Sequence, residues 1–66
     1  MTPQQLAEIL ADLEPLGLSA RRLAALFGYA SENTVRQWLS GRNQVPPHVA
    51  AWLLQLQAWW GANRPG

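Results

Sequence analysis

Apolar residues recur along this chain at the spacing of α-helices, and glycine or proline interrupts each run. The first run contains four aliphatic residues that share one helical face, namely Leu6, Ile9, Leu10 and Leu13. Thr2 is expected to cap this helix, with Pro3 at the first helical position and Gln5 completing a capping box. Pro15 cannot donate a backbone hydrogen bond and crowds the preceding turn, so the helix is expected to end or bend there.

The middle of the chain predicts two short helices joined by a tight turn. Ser19 is expected to cap the first of them, and Gly28 to end it, because glycine takes a positive φ without steric cost. One face of this helix is apolar and consists of Leu23, Ala24, Leu26 and Phe27. The second helix is predicted over 31–40, with Ser31 as its N-cap and Gly41 as its stop.

Polar and apolar residues of the predicted helix 31–40 fall on opposite sides. The apolar side holds Val35, Trp38 and Leu39, and we expect Trp38 to belong to the core. The other side carries amide, guanidinium and hydroxyl groups, on Asn33, Arg36, Gln37 and Ser40. Such a helix can lie in the DNA major groove, where asparagine and glutamine bond adenine and arginine bonds guanine. An ordinary solvated helix face is the alternative interpretation.

A last helix is predicted from Pro46-Pro47 to about Trp60, with Gly61 as its cap. Its core stripe consists of Val49, Trp52, Leu53, Leu56, Trp59 and Trp60. Gln55 and Gln57 are the only strongly polar side chains after its first turn, and a helix that is apolar on nearly all sides is usually buried on nearly all sides. We therefore expect a homodimer contact through Trp52, Leu54, Trp59 and Trp60. For the last two, packing at the end of the core alone is the alternative.

Length and composition limit the class of protein. The 66 residues are 48% hydrophobic and contain no cysteine, which predicts one small all-α domain of four to five helices over 1–61 and a flexible tail over 62–66. The chain opens with no secretory leader and has no apolar run of about 20 residues. A soluble, cytoplasmic protein without a membrane partner is expected.

Catalysis is not expected from these residues. The chain has no cysteine nucleophile, no glycine-rich phosphate loop and no metal-ligand spacing, and its single histidine, His48, has no evident partner. We therefore predict no enzymatic activity, no cofactor, no metal and no small-molecule substrate. His48 is expected at the surface.

Charge is distributed unevenly along the chain, although the net charge is only +1. Residues 1–20 carry a charge of −3, whereas residues 21–42 carry +3. The positive segment coincides with the two middle helices. Because this small number of charges can neutralise only a few phosphates, one protomer should bind non-specific DNA with a Kd at or above about 10⁻⁴ M. Useful affinity would require a second copy.

Small, apolar and turn residues recur in a characteristic order through the two middle helices: Leu23-Ala24, Gly28, Thr34-Val35, Trp38 and Ser40-Gly41-Arg42. This pattern resembles the helix-turn-helix of lambda repressor-like, XRE-family transcription regulators, from the helix before the motif to the helix after it. The chain departs from the commonest family pattern in the turn, where Tyr29-Ala30-Ser31 stand in place of two residues. The resemblance implies a lambda repressor-like fold and a dimeric repressor that binds double-stranded DNA.

The expected contacts to DNA divide into two groups. Base edges are assigned to the polar side of the helix 31–40, that is, to Asn33, Arg36, Gln37 and Ser40. The sugar-phosphate backbone is assigned to helix ends and the following loop: Ser19, Arg21, Arg22, Ser31, Thr34, Arg42 and Asn43. Ordinary surface charge is an equal alternative for Arg21 and Arg22. The alternative function is a helical protein-protein interaction or accessory, antitoxin-like module that uses the tryptophan-rich last helix.

Overall fold

Four α-helices and one 3₁₀ turn make up the computed structural model, which describes residues 1–65. The helices are α1 (Pro3–Asp12), α2 (Ala20–Leu26), α3 (Asn33–Ser40) and α4 (Pro47–Asn63), and the 3₁₀ turn covers Glu14–Leu16. α1 packs against α3 and α4, and α2 packs against α3. The described residues contain no strand, so the predicted all-α class is confirmed.

Both ends of α1 follow the local signals in the sequence. The Oγ1 of Thr2 accepts from the backbone N–H of Gln5 at 3.1 Å, and the Oε1 of Gln5 accepts from the N–H of Thr2 at 2.8 Å. The helix ends at Asp12, and Pro15 lies in the 3₁₀ turn that follows. The predicted capping box and the predicted end before the proline are therefore confirmed.

Aliphatic side chains from all four helices, together with Trp38, form the core. Its members are Leu6, Ile9, Leu13, Leu18, Leu23, Ala24, Val35, Trp38, Val45, Val49 and Leu53. Within residues 1–65 no buried residue is polar or charged, so burial of apolar surface is the main force that holds the helices together. Trp38 is only 4% exposed, which confirms its predicted place in the core. Leu10 is only partly buried.

An aromatic cluster connects the end of α2 to α4. The ring of Phe27 lies edge-on to the indole of Trp52, with ring centroids 5.3 Å apart, and to the imidazole of His48 at 5.8 Å. Edge-to-face pairs at these distances are favourable because the positive ring edge meets the negative ring face. His48 is exposed, as predicted, while Trp52 is half-buried by this packing.

The buried faces of α2 and α4 are narrower than the sequence predicted. Leu26 is 56% exposed, although Leu23 and Ala24 beside it are buried. On α4, Trp59 is 54% exposed, although Val49 and Leu53 are fully buried. Each exposed residue lies about 100° around its helix from the middle of the buried face, and the chain is too short to cover so wide an arc.

α4 is longer than predicted, because it ends at Asn63 and not near Trp60. Gly61 is helical, since the chain does not reverse there and needs no left-handed residue. The guanidinium of Arg64 contacts Asp12 Oδ1 at 2.7 Å and lies 5.6 Å from the ring centroid of Trp60. Residues 62 and 63 of the predicted tail are thus helical, and Gly66 lies outside the described residues. None of the four helices is long and apolar enough to cross a membrane.

Replacing the two leucines of α2 separately tests how narrow its buried face is. We expect Leu23→Ala to lower the free energy of unfolding by about 2–5 kcal/mol, because it leaves a cavity in the core. Leu26→Ala should change it by no more than about 0.5 kcal/mol, because that side chain already contacts water. Urea unfolding followed by tryptophan fluorescence measures both, and equal losses would contradict the packing described here.

Candidate nucleic-acid interface

α3 carries the polar residues assigned to DNA, and it begins later than the sequence predicted. Its first residue is Asn33, not Ser31, and six residues separate it from the end of α2. The Oγ of Ser31 accepts from the N–H of Asn33 at 3.1 Å, while Glu32 occupies the N-cap position without a side-chain cap. The predicted start is therefore wrong by two residues, because Ser31 closes a short turn ahead of the helix.

The back of α3 is fixed in the core. Val35 is fully buried and Trp38 nearly so, while Leu39 is partly buried against the same cluster. Tyr29, in the turn before the helix, places its ring edge-on to Trp38 with centroids 5.4 Å apart. α3 packs against both α1 and α2, so its rotation about its own axis is restrained from two sides.

The opposite side of α3 opens into a shallow depression. It is lined by polar and charged residues only, namely Asn33, Arg36, Gln37, Ser40 and Arg42. Asn33, Arg36, Ser40 and Arg42 are exposed, and Gln37 is half-buried. The structure thus brings together on one surface all four residues predicted to contact bases and one residue predicted to contact the backbone.

Gln37 is the centre of the hydrogen bonds that end α3. Its backbone carbonyl accepts from the Ser40 hydroxyl at 3.0 Å, from the Arg42 N–H at 3.0 Å and from the Asn43 N–H at 3.3 Å. Gly41 makes this possible by taking a left-handed φ of 82°, which reverses the chain at the helix end. In this arrangement the Ser40 hydroxyl hydrogen is directed to the helix end and not to the depression.

The side chains of Gln37 and Asn43 are also joined. Asn43 Nδ2 donates to Gln37 Oε1 at 2.7 Å. The sequence places these residues six positions apart, on a helix and in a loop, so helical periodicity gives no sign of the contact. It depends on the reversal at Gly41.

Arg36 has a weaker restraint. Its guanidinium lies 3.4 Å from the carboxylate of Glu32, the N-cap residue four positions earlier, and the two side chains are 65% and 37% exposed. An exposed pair of this kind contributes no more than about 1 kcal/mol, so a phosphate or a base can displace Glu32 at small cost. The four-residue spacing makes this pair readable from the sequence.

A second depression lies beside the turn between α2 and α3. It is lined by Arg21, Ala24, Ala25, Tyr29, Ala30, Ser31 and Glu32. Arg21 and Ser31, both predicted to contact the backbone, thus share one surface with the Tyr29 ring. Ser19, Arg22 and Thr34 line neither depression, and Ser19 Oγ accepts from the Arg22 N–H as the predicted cap of α2.

The acidic residues of α1 do not line the depression at α3. Glu8 lines a groove between α1 and α4, and Asp12 pairs with Arg64. The depression at α3 combines two arginines with amide groups, which suits phosphates and the edges of bases.

Comparison with protein-family models, with curated proteins and with solved structures found no match.

Two glycines give a matched test of the reversal that ends α3. Gly41→Ala should cost about 1–2 kcal/mol of folding free energy, because an alanine at a φ of 82° is strained. Gly61→Ala should instead stabilise the protein by up to about 1 kcal/mol, because Gly61 is helical and an added Cβ meets nothing within 4 Å. Thermal or urea unfolding gives both signs, and a neutral Gly41→Ala would contradict the proposed role of this reversal.

Proposed function

We propose that this protein is a sequence-specific DNA-binding regulator of the lambda repressor-like type, with α3 as its recognition helix. The observation that carries this proposal is the division of α3 into a polar side and an apolar side. Asn33, Arg36 and Gln37 open onto one polar surface, and Val35 and Trp38 hold the reverse side in the core. A helix that presents amide and guanidinium groups on a fixed face matches the width and hydrogen-bond pattern of the major groove.

The roles within this surface follow from position and freedom. Arg36 is exposed and weakly restrained, which suits a bidentate contact to guanine. Arg42 follows the helix end, where a cation meets the sugar-phosphate backbone and fixes register without reading sequence. Arg21 and Ser31 line the depression beside the turn that precedes α3. We assign them to the DNA sugar-phosphate backbone as well.

Repression is the expected mode of action, because the resemblance of the two middle helices implies a dimer that occupies an operator and blocks polymerase. With twofold symmetry, the half-sites would lie about one helical turn apart, roughly 34–36 Å. The net charge of +1 makes a single protomer a weak binder, so occupancy of an operator depends on the second copy.

The second candidate function is a protein-interaction module, and the exposed side of α4 favours it. Leu54 and Trp59 are each more than half exposed. Of the four residues between them, Gln55 and Ala58 are exposed, and of these two only Gln55 is strongly polar. Soluble proteins seldom leave a continuous apolar helix face uncovered. Such a module would not need to bind duplex DNA.

Binding of duplex DNA across a salt series separates the two functions, and two arginine variants test the roles assigned to α3. Selection from random duplexes first supplies the preferred sequence. Affinity for it should fall steeply as salt rises, because phosphate contacts release counterions. Arg36→Ala should cost about 1–3 kcal/mol on the preferred sequence and little on random DNA. Arg42→Ala should weaken both about equally and flatten the salt dependence.

Arg64→Ala serves as the control for loss of one positive charge, because Arg64 pairs with Asp12 at the far end of α4. It should leave the preference for the selected sequence intact. Absence of any preferred sequence together with a flat salt response would refute the DNA-binding proposal and favour the interaction module. Equal effects of the two α3 variants would refute only the division of roles between them.

A homodimer through α4 is the second part of the proposal. Its direct contacts are assigned to the exposed face that holds Leu54 and Trp59, with the small residues Ala51 and Ala58 between them. Trp52 and Trp60, which the sequence also assigns to the interface, are half-buried within the protomer and would contribute at its edge. A second copy of α4 offers the same face and so matches this one in polarity.

Sedimentation equilibrium at micromolar concentration tests the dimer. The protein should sediment at twice its monomer mass of 7.3 kDa, and Trp59→Ala should weaken the dimer by about 2 kcal/mol or more, as for a central interface tryptophan. Leu26→Ala removes a side chain of α2 that is about as exposed as Trp59. It should leave the sedimenting mass unchanged. A persistent monomer that Trp59→Ala does not alter would remove the dimer from the proposal.

A further inference from the structure

We propose that Glu32 restricts Arg36 to base edges, by offsetting the positive charge with which Arg36 would otherwise bind any phosphate. This inference rests on the proposed function, because it takes α3 to lie in the major groove. It adds to that function a residue that sets the ratio between specific and non-specific binding. Glu32 acts through Arg36 and is therefore a positioning residue, not itself a reader of bases.

The carboxylate of Glu32 is not used to cap α3. Glu32 occupies the N-cap position, but its side chain makes no hydrogen bond to the first turn. The side chains of Thr2 and Ser19, the N-caps of α1 and α2, both accept from backbone N–H groups. Glu32 instead approaches Arg36, with Oε2 3.4 Å from the Nη2 of the guanidinium. Its charge therefore acts on the polar side of α3.

Glu32 is also the only acidic residue that lines either of the two depressions assigned to DNA. It lines the depression of Arg21 and Ser31, while its partner Arg36 lines the other one together with Arg42. Within residues 1–65 Glu32 forms an ion pair with Arg36 and none with Arg21. Because the Coulomb energy rises as the separation falls, Arg36 is the cation that Glu32 affects most directly.

The pair offsets the charge of Arg36 without using up its hydrogen-bond donors. A charge-assisted hydrogen bond between these groups is about 2.7–2.9 Å long, so the contact at 3.4 Å is a looser ion pair. A guanidinium has five N–H donors in a planar fork, and the exposed side chain of Arg36 can turn two of them to a base. Guanine offers two uncharged acceptors, O6 and N7, and brings no second negative charge near Glu32.

A phosphate group meets a different environment at Arg36. It is negatively charged, and the guanidinium that it approaches already has a carboxylate beside it. Repulsion between two anions about 4 Å apart in water corresponds to a factor of about five in affinity. A guanine edge does not incur this repulsion. Glu32 should therefore lower the affinity for random DNA more than the affinity for the preferred sequence.

The experiment compares Glu32→Gln with the unmodified protein on the selected sequence and on a random duplex. Glutamine keeps an acceptor oxygen but removes the charge. Fluorescence anisotropy at about 0.05 M salt, where surface charges are weakly screened, measures both affinities. Affinity for the random duplex should rise by about fivefold, and its salt slope should steepen by about one phosphate contact. Affinity for the selected sequence should rise by less than about twofold, so specificity falls.

Two further variants test whether the effect passes through Arg36. In an Arg36→Ala background, Glu32→Gln should raise the affinity for the random duplex by less than about twofold, because the cation that Glu32 offsets is gone. Glu32→Asp keeps the negative charge four residues before Arg36. It should retain the original ratio of the two affinities, which a loss of packing at residue 32 would not explain.

Glu14→Gln is the matched control for net charge, because Glu14 is an exposed residue of the 3₁₀ turn and lines neither depression. It should change both affinities by less than about twofold, and circular dichroism confirms that each variant is folded. No gain on the random duplex, an equal gain on both duplexes, an equal effect of Glu14→Gln, or a fivefold gain that persists in the Arg36→Ala background would each overturn this inference alone. An unmodified protein that selects no sequence overturns the proposed function and this inference together.

Discussion

The burial of Val35 and Trp38 is the interaction on which the rest of this structure depends. α3 has only eight residues, too few to be stable as an isolated helix, so its existence depends on what its apolar side contacts. That side packs against α1 and α2, and the Tyr29 ring supports Trp38 from the turn. The polar side is open to solvent, as the exposure of Asn33, Arg36 and Ser40 shows.

Two neighbouring residues on that open side are restrained by different means. Arg36 is held by the partly exposed carboxylate of Glu32 at the N-cap of its helix, a contact that water and salt weaken. Gln37 is held by a loop that the Gly41 reversal folds back on the helix end, through backbone and side-chain hydrogen bonds. One side chain therefore keeps its freedom while the other is positioned in advance, which lowers the entropy lost on binding.

The molecule has two unlike sides, and α4 accounts for the second. Its inner face completes the core through Val49 and Leu53, and its C-terminal end is tied to α1 by the Arg64–Asp12 pair. The apolar outer face stays exposed because three other short helices and their connections cannot surround a helix of 17 residues. A polar, positively charged surface at α3 and an apolar surface at α4 can thus take different partners, DNA and a second copy in the proposed function.

Local chemistry in the sequence was enough to determine the helical class, the caps at Thr2 and Ser19, the left-handed glycines at 28 and 41, and the polar side of α3, because each depends on residues within a few positions. Tertiary structure decided how much of each apolar face is covered: Leu26 and Trp59 are exposed, and α4 continues through Gly61 to Asn63. It also decided the Gln37–Asn43 contact. Periodicity gives the direction of a side chain around its own helix, but the surface that meets it is set by how the helices pack and where the chain reverses.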